Sequence, residues 1–143
     1  MRIYGVVQRN LRMRHWRILD MHGKTSATAG GICFSWTTNG GNGAWTSWPP
    51  HEHEKDLEEV YCYFDMDDPH FGLHLSYVEP GDTHGVVAHT VKSGTMILAP
   101  RGYHPTVAAP VTRNTYLWVL AAHSHKSRRY DLAVLDPKRA EMN

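Results

Sequence analysis

The amino-acid sequence predicts an all-β fold, a jelly roll whose short strands close into a barrel. Short runs of β-branched, aromatic and aliphatic residues alternate with clusters of Gly, Pro, Asn and Asp, which is the pattern of strands joined by turns. No segment sustains the 3.6-residue apolar period of a helix beyond two turns. A closed barrel suits many short strands because closure suppresses exposed sheet edges.

Turn residues separate the predicted strands. The segment 39–43 (NGGNG) supplies residues that tolerate positive φ, and the segment 79–82 (EPGD) has the composition of a Pro-Gly turn. The predicted strands are Ile3–Val7, Trp16–Leu19, Gly31–Thr37, Ala44–Ser47, Glu59–Asp65, Gly72–Val78, Gly85–Thr90, Thr95–Leu98, Thr106–Ala108, Thr115–Ala121 and Tyr130–Val134.

Length and charge limit the function classes. The 143 residues predict one domain, 1–143, with a single core. A formal net charge of +1 argues against nucleic-acid or membrane partners attracted by bulk charge. The basic run from Arg9 to Arg17 is interpreted as a solvated surface.

Cysteine usage and hydropathy predict the compartment. Cys33 and Cys62 are the two cysteines, too few for a disulfide framework, so a reducing cytosol is expected. The sequence has neither a signal-peptide pattern nor an apolar run long enough to span a membrane. A cytoplasmic protein is therefore predicted.

A candidate metal site stands out in the sequence. His51 and His53 lie one residue apart, so on a strand they project to the same side; Glu59 and His104 follow. With eleven histidines in the chain, an accidental His-x-His is the plain alternative. Imidazole and carboxylate ligands suit zinc, manganese, iron or nickel, so a divalent metal is expected, with zinc as the first choice.

Two blocks of the sequence resemble the cupin metal motifs. The first block, 48–66, contains WPPHEHEKDLEEVYCYF. The second block, 94–105, overlaps the segment APRGYHPTVAAP. More narrowly, both resemble the family of 5-deoxy-glucuronate isomerase and 5-keto-4-deoxyuronate isomerase. The resemblance runs from Gly40 to Ala122, and the Pro-Arg-Gly-Tyr-His-Pro element is its most specific part.

The resemblance implies a double-stranded β-helix, the cupin jelly roll, with a divalent metal in the barrel mouth. Carried over residue by residue, the implied ligands are His51, His53, Glu59 and His104. Glu58 stays an alternate ligand, because general cupin spacing selects it. Known members contain two cupin domains, whereas this sequence has one copy of the motifs, so a single-cupin version is expected.

The activity implied by the resemblance is aldose–ketose isomerisation of an acidic sugar through an enediol. Tyr61 and Tyr63 share a strand face with Glu59 and can line the cavity, although aromatic core filling explains them equally well. Arg101 is the candidate for binding the substrate carboxylate, because a guanidinium matches it with two hydrogen bonds; an exposed turn residue is the alternative. Glu58 is a candidate base if it is not a ligand.

The remaining histidines are interpreted conservatively. His74, His84 and His89 are expected to be surface or hydrogen-bonded histidines. His123 and His125 repeat the His-x-His spacing but precede a charged loop, and no metal role is assigned to them.

The sequence is compatible with three functions. The first is a metal-dependent sugar-acid isomerase, and the second is another cupin enzyme, a dioxygenase or a lyase, with the same ligands. The third is a non-catalytic cupin that binds a sugar acid. A single cupin exposes faces that a second domain would cover, so a homodimer is also predicted.

Overall fold

The computed structural model describes residues 12–16, 27–36, 45–110, 112–127, 129 and 132–140. Within these ranges the chain forms eleven strands, a 3-10 turn and a short helix. The strands are β1 (Arg12–Trp16), β2 (Ala27–Trp36), β3 (Trp45–Thr46), β4 (His51–Glu52), β5 (Leu57–Tyr63), β6 (Gly72–Ser76), β7 (Val87–Val91), β8 (Met96–Ala99), β9 (Thr106–Ala108), β10 (Arg113–Ala122) and β11 (Val134–Leu135). The 3-10 turn spans His125–Ser127, and helix α1 spans Pro137–Ala140.

The strands form two larger antiparallel sheets and one small sheet. The five-stranded sheet has the order β1-β2-β10-β5-β8, the four-stranded sheet has the order β3-β9-β6-β7, and β4 pairs with β11. Hydrogen bonds between side chains cross the interior: Tyr116 of β10 donates to Thr46 of β3 at 2.7 Å, and Tyr63 of β5 donates to Thr106 of β9 at 3.0 Å. The two larger sheets therefore face each other around one interior, as in a jelly roll.

The apolar core lies between these sheets and is built largely from β5 and β10. Its tyrosine rings pack closely, with 5.0 Å between the ring centres of Tyr61 and Tyr116. Buried tyrosines supply apolar area and still need a partner for the hydroxyl, so the core is partly polar. Its buried members are Leu57, Tyr61, Tyr63, Met66, Val91, Ala99, Tyr116, Trp118, Leu120 and Ala122.

Strand β5 determines which acidic residue faces the interior. Successive side chains of a strand point to opposite sides, and Glu59, Tyr61 and Tyr63 are buried whereas Glu58 is exposed. Pairing with β10 on one side and β8 on the other fixes the register of β5. A slip of one residue would turn Glu59 outwards.

The predicted strands between residues 44 and 122 agree with the structure, with ends that differ by at most two residues. Strand β2 begins four residues before the predicted start at Gly31. The two-residue strand β4 and helix α1 were not predicted, because elements this short carry no periodic pattern.

Part of the amino-terminal basic run forms a strand that was not predicted. Residues Arg12–Trp16 form β1 and pair with β2 at the edge of the five-stranded sheet, and the interpretation of the run as a solvated surface stays a prediction. The predicted strands at 3–7 and, apart from Trp16, 16–19 lie outside the described residues. Of the predicted strand 130–134, residues 132–134 are described, and β11 begins at Val134.

Candidate metal centre

Four side chains from separate elements meet at one end of the interior. His51 comes from β4, His53 from the turn that follows it, Glu59 from β5, and His104 from the segment before β9. One potential ligand atom from each residue lies within 4.8 Å of the other three. The structure thus brings together the four residues that the sequence nominated as metal ligands.

The turn after His53 brings β5 back beside β4. The carbonyl of His53 accepts hydrogen bonds from the amides of Asp56 and Leu57, both at 2.9 Å. Two residues further on, Glu59 Oε2 lies 3.5 Å from His53 Nε2. A tight turn therefore explains how a histidine and a carboxylate six positions apart in sequence become neighbours.

Backbone carbonyls orient two of the imidazoles. His51 Nδ1 lies 3.0 Å from the carbonyl oxygen of Pro49, and His104 Nδ1 lies 2.8 Å from that of Gly102. Since a carbonyl oxygen only accepts, each Nδ1 must be the protonated donor. In the neutral ring, each Nε2 is then unprotonated and can bind a metal. Metal-ligating histidines are commonly oriented in this way, through a hydrogen bond from the other ring nitrogen.

Gly102 is required by the backbone at this point. Its φ is +74°, and a Cβ there would lie 2.5 Å from the carbonyl oxygen of Tyr77. The next residue, Tyr103, forms an antiparallel bridge with Tyr77. Glycine at position 102 therefore allows the backbone to approach Tyr77 closely. The carbonyl of the same glycine orients His104.

The electrostatics of the cluster favour an ionised carboxylate. Burial by itself raises the pKa of Glu59, but hydrogen bonds and charge attraction from His104 and His53 outweigh it and lower the pKa overall. Burial lowers the pKa of His104, but the hydrogen bond and charge of Glu59 outweigh it and raise the pKa overall. Burial and the neighbouring histidines lower the pKa of His51 to about 4.

The donor set fits a divalent metal. Three imidazoles and one carboxylate are the borderline and hard ligands that zinc, manganese, iron and nickel accept. His53, Glu59 and His104 are buried, and their polar atoms turn towards one another. The cluster can therefore hold a divalent ion, and these ligand types do not select among the four metals.

Tyr61 lies beside this cluster. Its hydroxyl is 2.9 Å from Ser47 Oγ, and its ring centre is 5.9 Å from that of His104. Burial, and then the negative charge of Glu59, raise the pKa of Tyr61 well above its usual value. The phenol therefore keeps its proton at neutral pH.

Glu58 is kept apart from the cluster. Its side chain is 62% exposed on the outer face of β5, where Oε1 lies 3.7 Å from His123 Nε2. This position follows from the alternation that turns Glu59 inwards. Neither the alternate-ligand role nor the catalytic role considered for Glu58 has support in this geometry.

Arg101 lies at a cavity rather than within the cluster. Its exposed side chain lines an open cavity of about 490 Å³ between β6, β7 and β8. The same cavity reaches His104 and His74. A guanidinium at this rim can meet the carboxylate of a ligand whose other end approaches His104.

His74 is more important than the sequence suggested. It is fully buried, its Nδ1 lies 2.8 Å from the Tyr63 hydroxyl, and its ring is stacked 6.4 Å from that of His104. Burial first, and then repulsion by His104, lower its pKa to about 3. The signal available in the sequence was its place in a predicted strand, where every second side chain faces the same side. His84 and His89 are exposed, as expected.

No sequence pattern predicted the polar clasp that Asp136 forms near the carboxyl end. The Asp136 carboxylate accepts hydrogen bonds from the Tyr77 hydroxyl at 2.7 Å and from the Gly81 amide at 3.0 Å. Asp136 directly follows β11, and Leu135 of that strand pairs with His51. The clasp therefore holds the strand that carries one of the four clustered side chains.

A jelly-roll barrel holding three histidines and one glutamate defines the class as cupin. A solved cupin-like protein from Thermotoga maritima superposes with a TM-score of 0.52 at 15% identity, covering 84% of this chain and 83% of that one. An IolB-like protein from Salmonella typhimurium superposes with a TM-score of 0.61 at 24% identity, covering 80% of this chain and 42% of that one. Both confirm the predicted double-stranded β-helix.

The profile of the KduI/IolB family matches residues 15–138, and the chain belongs to that family. A 5-deoxy-glucuronate isomerase from Geobacillus kaustophilus is 36% identical over 86 residues, which is 55% of this chain and 30% of the relative. The chain spans about a third of the length of the curated relatives that it matches. Each helix in the described part of the chain is too short or too polar to cross a bilayer.

Proposed function

We propose that this protein is a metal-dependent isomerase that interconverts the aldose and ketose forms of an acidic sugar. The substrate class is a 5-deoxyuronate or a ketouronate. The observation that carries the proposal is the convergence of His51, His53, Glu59 and His104. Curated relatives named 5-deoxy-glucuronate isomerase support the choice of reaction over the other chemistries that cupins host.

The cluster is the proposed metal centre. A divalent ion held there would supply Lewis-acid polarisation of the substrate carbonyl, which acidifies the adjacent C–H bond. Isomerisation then moves one proton from that carbon to the former carbonyl carbon, and one proton from its hydroxyl group to the former carbonyl oxygen, through an enediol. Atoms and electrons balance within the substrate, so the reaction needs no external oxidant or reductant.

Tyr61 is the proposed hydrogen-bond donor for the developing enediol oxygen. Its hydroxyl can accept from Ser47, which is 2.9 Å away, and its own proton, which also interacts with Glu59, can then be donated to the substrate. Donors placed in advance where negative charge develops are an effective means of stabilising a transition state. Its place on the inner face of β5, with Glu59, supports this role.

Arg101 is the proposed anchor for the substrate carboxylate. Its position on the cavity that reaches His104 supports an orientation with the acidic end of the sugar at the rim and the carbonyl end towards the cluster. Glu58 has no proposed role in metal binding or catalysis, because it lies on the outer face of β5. A cytoplasmic location and a homodimer complete the proposal.

The test combines metal analysis with turnover. The purified chain should retain a divalent metal and isomerise a member of a uronate panel under anaerobic conditions, with NMR detection of the aldose and ketose. Anaerobic turnover separates an isomerase from a dioxygenase, and conservation of mass separates it from a lyase. A metal-free and inactive wild-type protein would overturn the proposal.

The decisive variant is His104→Ala. Loss of a residue that only orients a metal ligand costs about 10–100-fold in metal affinity or activity, so loss of a ligand should cost at least about 100-fold in both. His123→Ala is the matched control, because His123 belongs to the second His-x-His pair and lies with Glu58 on the outer face. Full activity and metal content in His104→Ala would contradict the assignment.

A further inference from the structure

A buried chain of polar groups lies behind the proposed metal centre. Asn114 Nδ2 donates to Thr106 Oγ1 at 3.2 Å, and Thr106 Oγ1 donates to the carbonyl of Leu73 at 2.9 Å. The Tyr63 hydroxyl donates to Thr106 Oγ1 at 3.0 Å and lies 2.8 Å from His74 Nδ1. Residues of four strands, β5, β6, β9 and β10, contribute to this network of hydrogen bonds.

Counting hydrogens fixes the tautomer of His74. The carbonyl of Leu73 can only accept, so the single Thr106 hydroxyl hydrogen points there. The Tyr63–Thr106 contact must then use the Tyr63 hydrogen. The remaining contact requires His74 Nδ1 to be the donor to the Tyr63 oxygen, so Nδ1 carries the proton.

The opposite nitrogen of the ring is left with a lone pair. His74 Nε2 is buried and has no hydrogen-bond partner among the described residues. Buried polar atoms without a partner are rare and costly, and they commonly mark the position of a water, an ion or a ligand group. His74 lines the same cavity as His104 and Arg101, which places this buried ring beside the proposed substrate site.

We propose that His74 is a substrate-binding residue whose Nε2 accepts a hydrogen bond from a hydroxyl group of the bound sugar acid. The inference rests on the proposed function, because it concerns the same site and substrate class. An unprotonated nitrogen can pair with an O–H donor but not with a carboxylate or a carbonyl oxygen. The His74 side of the cavity therefore selects a hydroxyl, and the carboxylate is directed towards Arg101.

The first test measures the tautomer in the wild-type protein. Nitrogen-15 NMR of the zinc-loaded full chain distinguishes a protonated ring nitrogen from an unprotonated one, and His74→Phe assigns the signals. We expect a protonated Nδ1 and an unprotonated Nε2, and addition of D-glucuronate should shift the Nε2 signal. An unprotonated Nδ1 would overturn the proposal, and so would an Nε2 signal that does not move when D-glucuronate is added.

The second test measures binding by calorimetry with D-glucuronate as the probe. His74→Phe keeps a planar ring but removes the acceptor, so affinity should fall by about 3–10-fold, the usual worth of one neutral hydrogen bond. His70→Phe is the control, because His70 is exposed in the loop before β6. Metal content should not change in either variant.

Tyr63→Phe provides a test that does not touch the imidazole. Removal of the Tyr63 oxygen releases the constraint on Nδ1, so the His74 signals should show a mixture of tautomers and D-glucuronate should bind more weakly. A purely structural role for Tyr63 would lower stability without changing the tautomer. That result would overturn the proposed role of the network.

The outcomes separate this inference from the proposed function. Normal D-glucuronate binding by His74→Phe would overturn the role of His74 alone. Weakened binding together with no isomerase turnover in the wild type would overturn the proposed reaction and leave the acceptor role intact. A wild-type protein that binds no D-glucuronate would overturn both.

Discussion

Asp136→Asn should destabilise the protein and weaken the metal centre at the same time. The carboxylate is fully buried and accepts hydrogen bonds from Tyr77, from Gly81 and, at 2.9 Å, from the Lys138 amide. The side-chain amide of Asn has only one oxygen, so at least one of these donors loses its acceptor. The other donors then bond to a neutral oxygen instead of a charged one. Hydrogen bonds to charged groups contribute about 1.5–3 kcal/mol each, so the free energy of unfolding should fall by about 3 kcal/mol.

The effect on the metal centre follows from strand pairing. Asp136 donates its own amide to the Pro50 carbonyl at 2.8 Å, and β11 pairs with β4, which carries His51. Loosening this segment should release His51 and lower metal affinity by about 10–100-fold, as for other residues that orient a ligand. Urea unfolding in a chelator and a competitive metal titration measure the two effects separately.

The pH dependence provides a sharper signature. Burial raises the pKa of Asp136, but hydrogen bonds from Tyr77 and two amides, with the charge of Arg139, outweigh it and hold the pKa below the usual 3.8. The carboxylate therefore stabilises the fold above about pH 4, and this contribution is lost as the pH falls through the lowered pKa. The stability difference between wild type and Asp136→Asn should shrink in that acidic range.

Asp82→Asn is the matched control for these measurements. The Asp82 carboxylate accepts hydrogen bonds from the amides of His84 and Gly85, one on each oxygen; Asn keeps one of these acceptors, and water can replace the other because the turn is exposed. The control should stay close to wild type in stability and metal affinity. The reasoning would be refuted if Asp136→Asn matched this control at pH 7.

The remaining predictions concern the second motif, the substrate and assembly. Gly102→Ala should lower the free energy of unfolding in urea by about 2 kcal/mol or more, because positive φ is unfavourable for alanine and its Cβ would meet the Tyr77 carbonyl; wild-type stability would contradict this. Arg101→Ala should raise KM for acidic sugars by about tenfold with little change in kcat, whereas Glu58→Gln should change neither; an unchanged KM would remove Arg101 from substrate binding. Light scattering should report a homodimer, and a monomer at working concentration would count against that expectation.

The sequence by itself predicted much of the barrel, because strand alternation and turn chemistry are local properties. The alternation of side chains along β5 was sufficient to expect that Glu59 faces inwards with Tyr61 and that Glu58 faces outwards. The side-chain types at 51, 53, 59 and 104 were sufficient to propose metal chemistry. Very short elements such as β4 were missed, because two residues carry no period.

Tertiary structure alone decided how these groups meet. His104 and Glu59 are 45 residues apart in sequence, and Asp136 and Tyr77 are 59 apart, so only the pairing of strands determines these contacts. The tautomer of His74 depends on hydrogens shared among residues of four strands, which no local pattern encodes. Residue types and the alternation of side chains are local properties of the sequence. Distances between residues, burial and the direction of a shared proton arise only when the two sheets close around one interior.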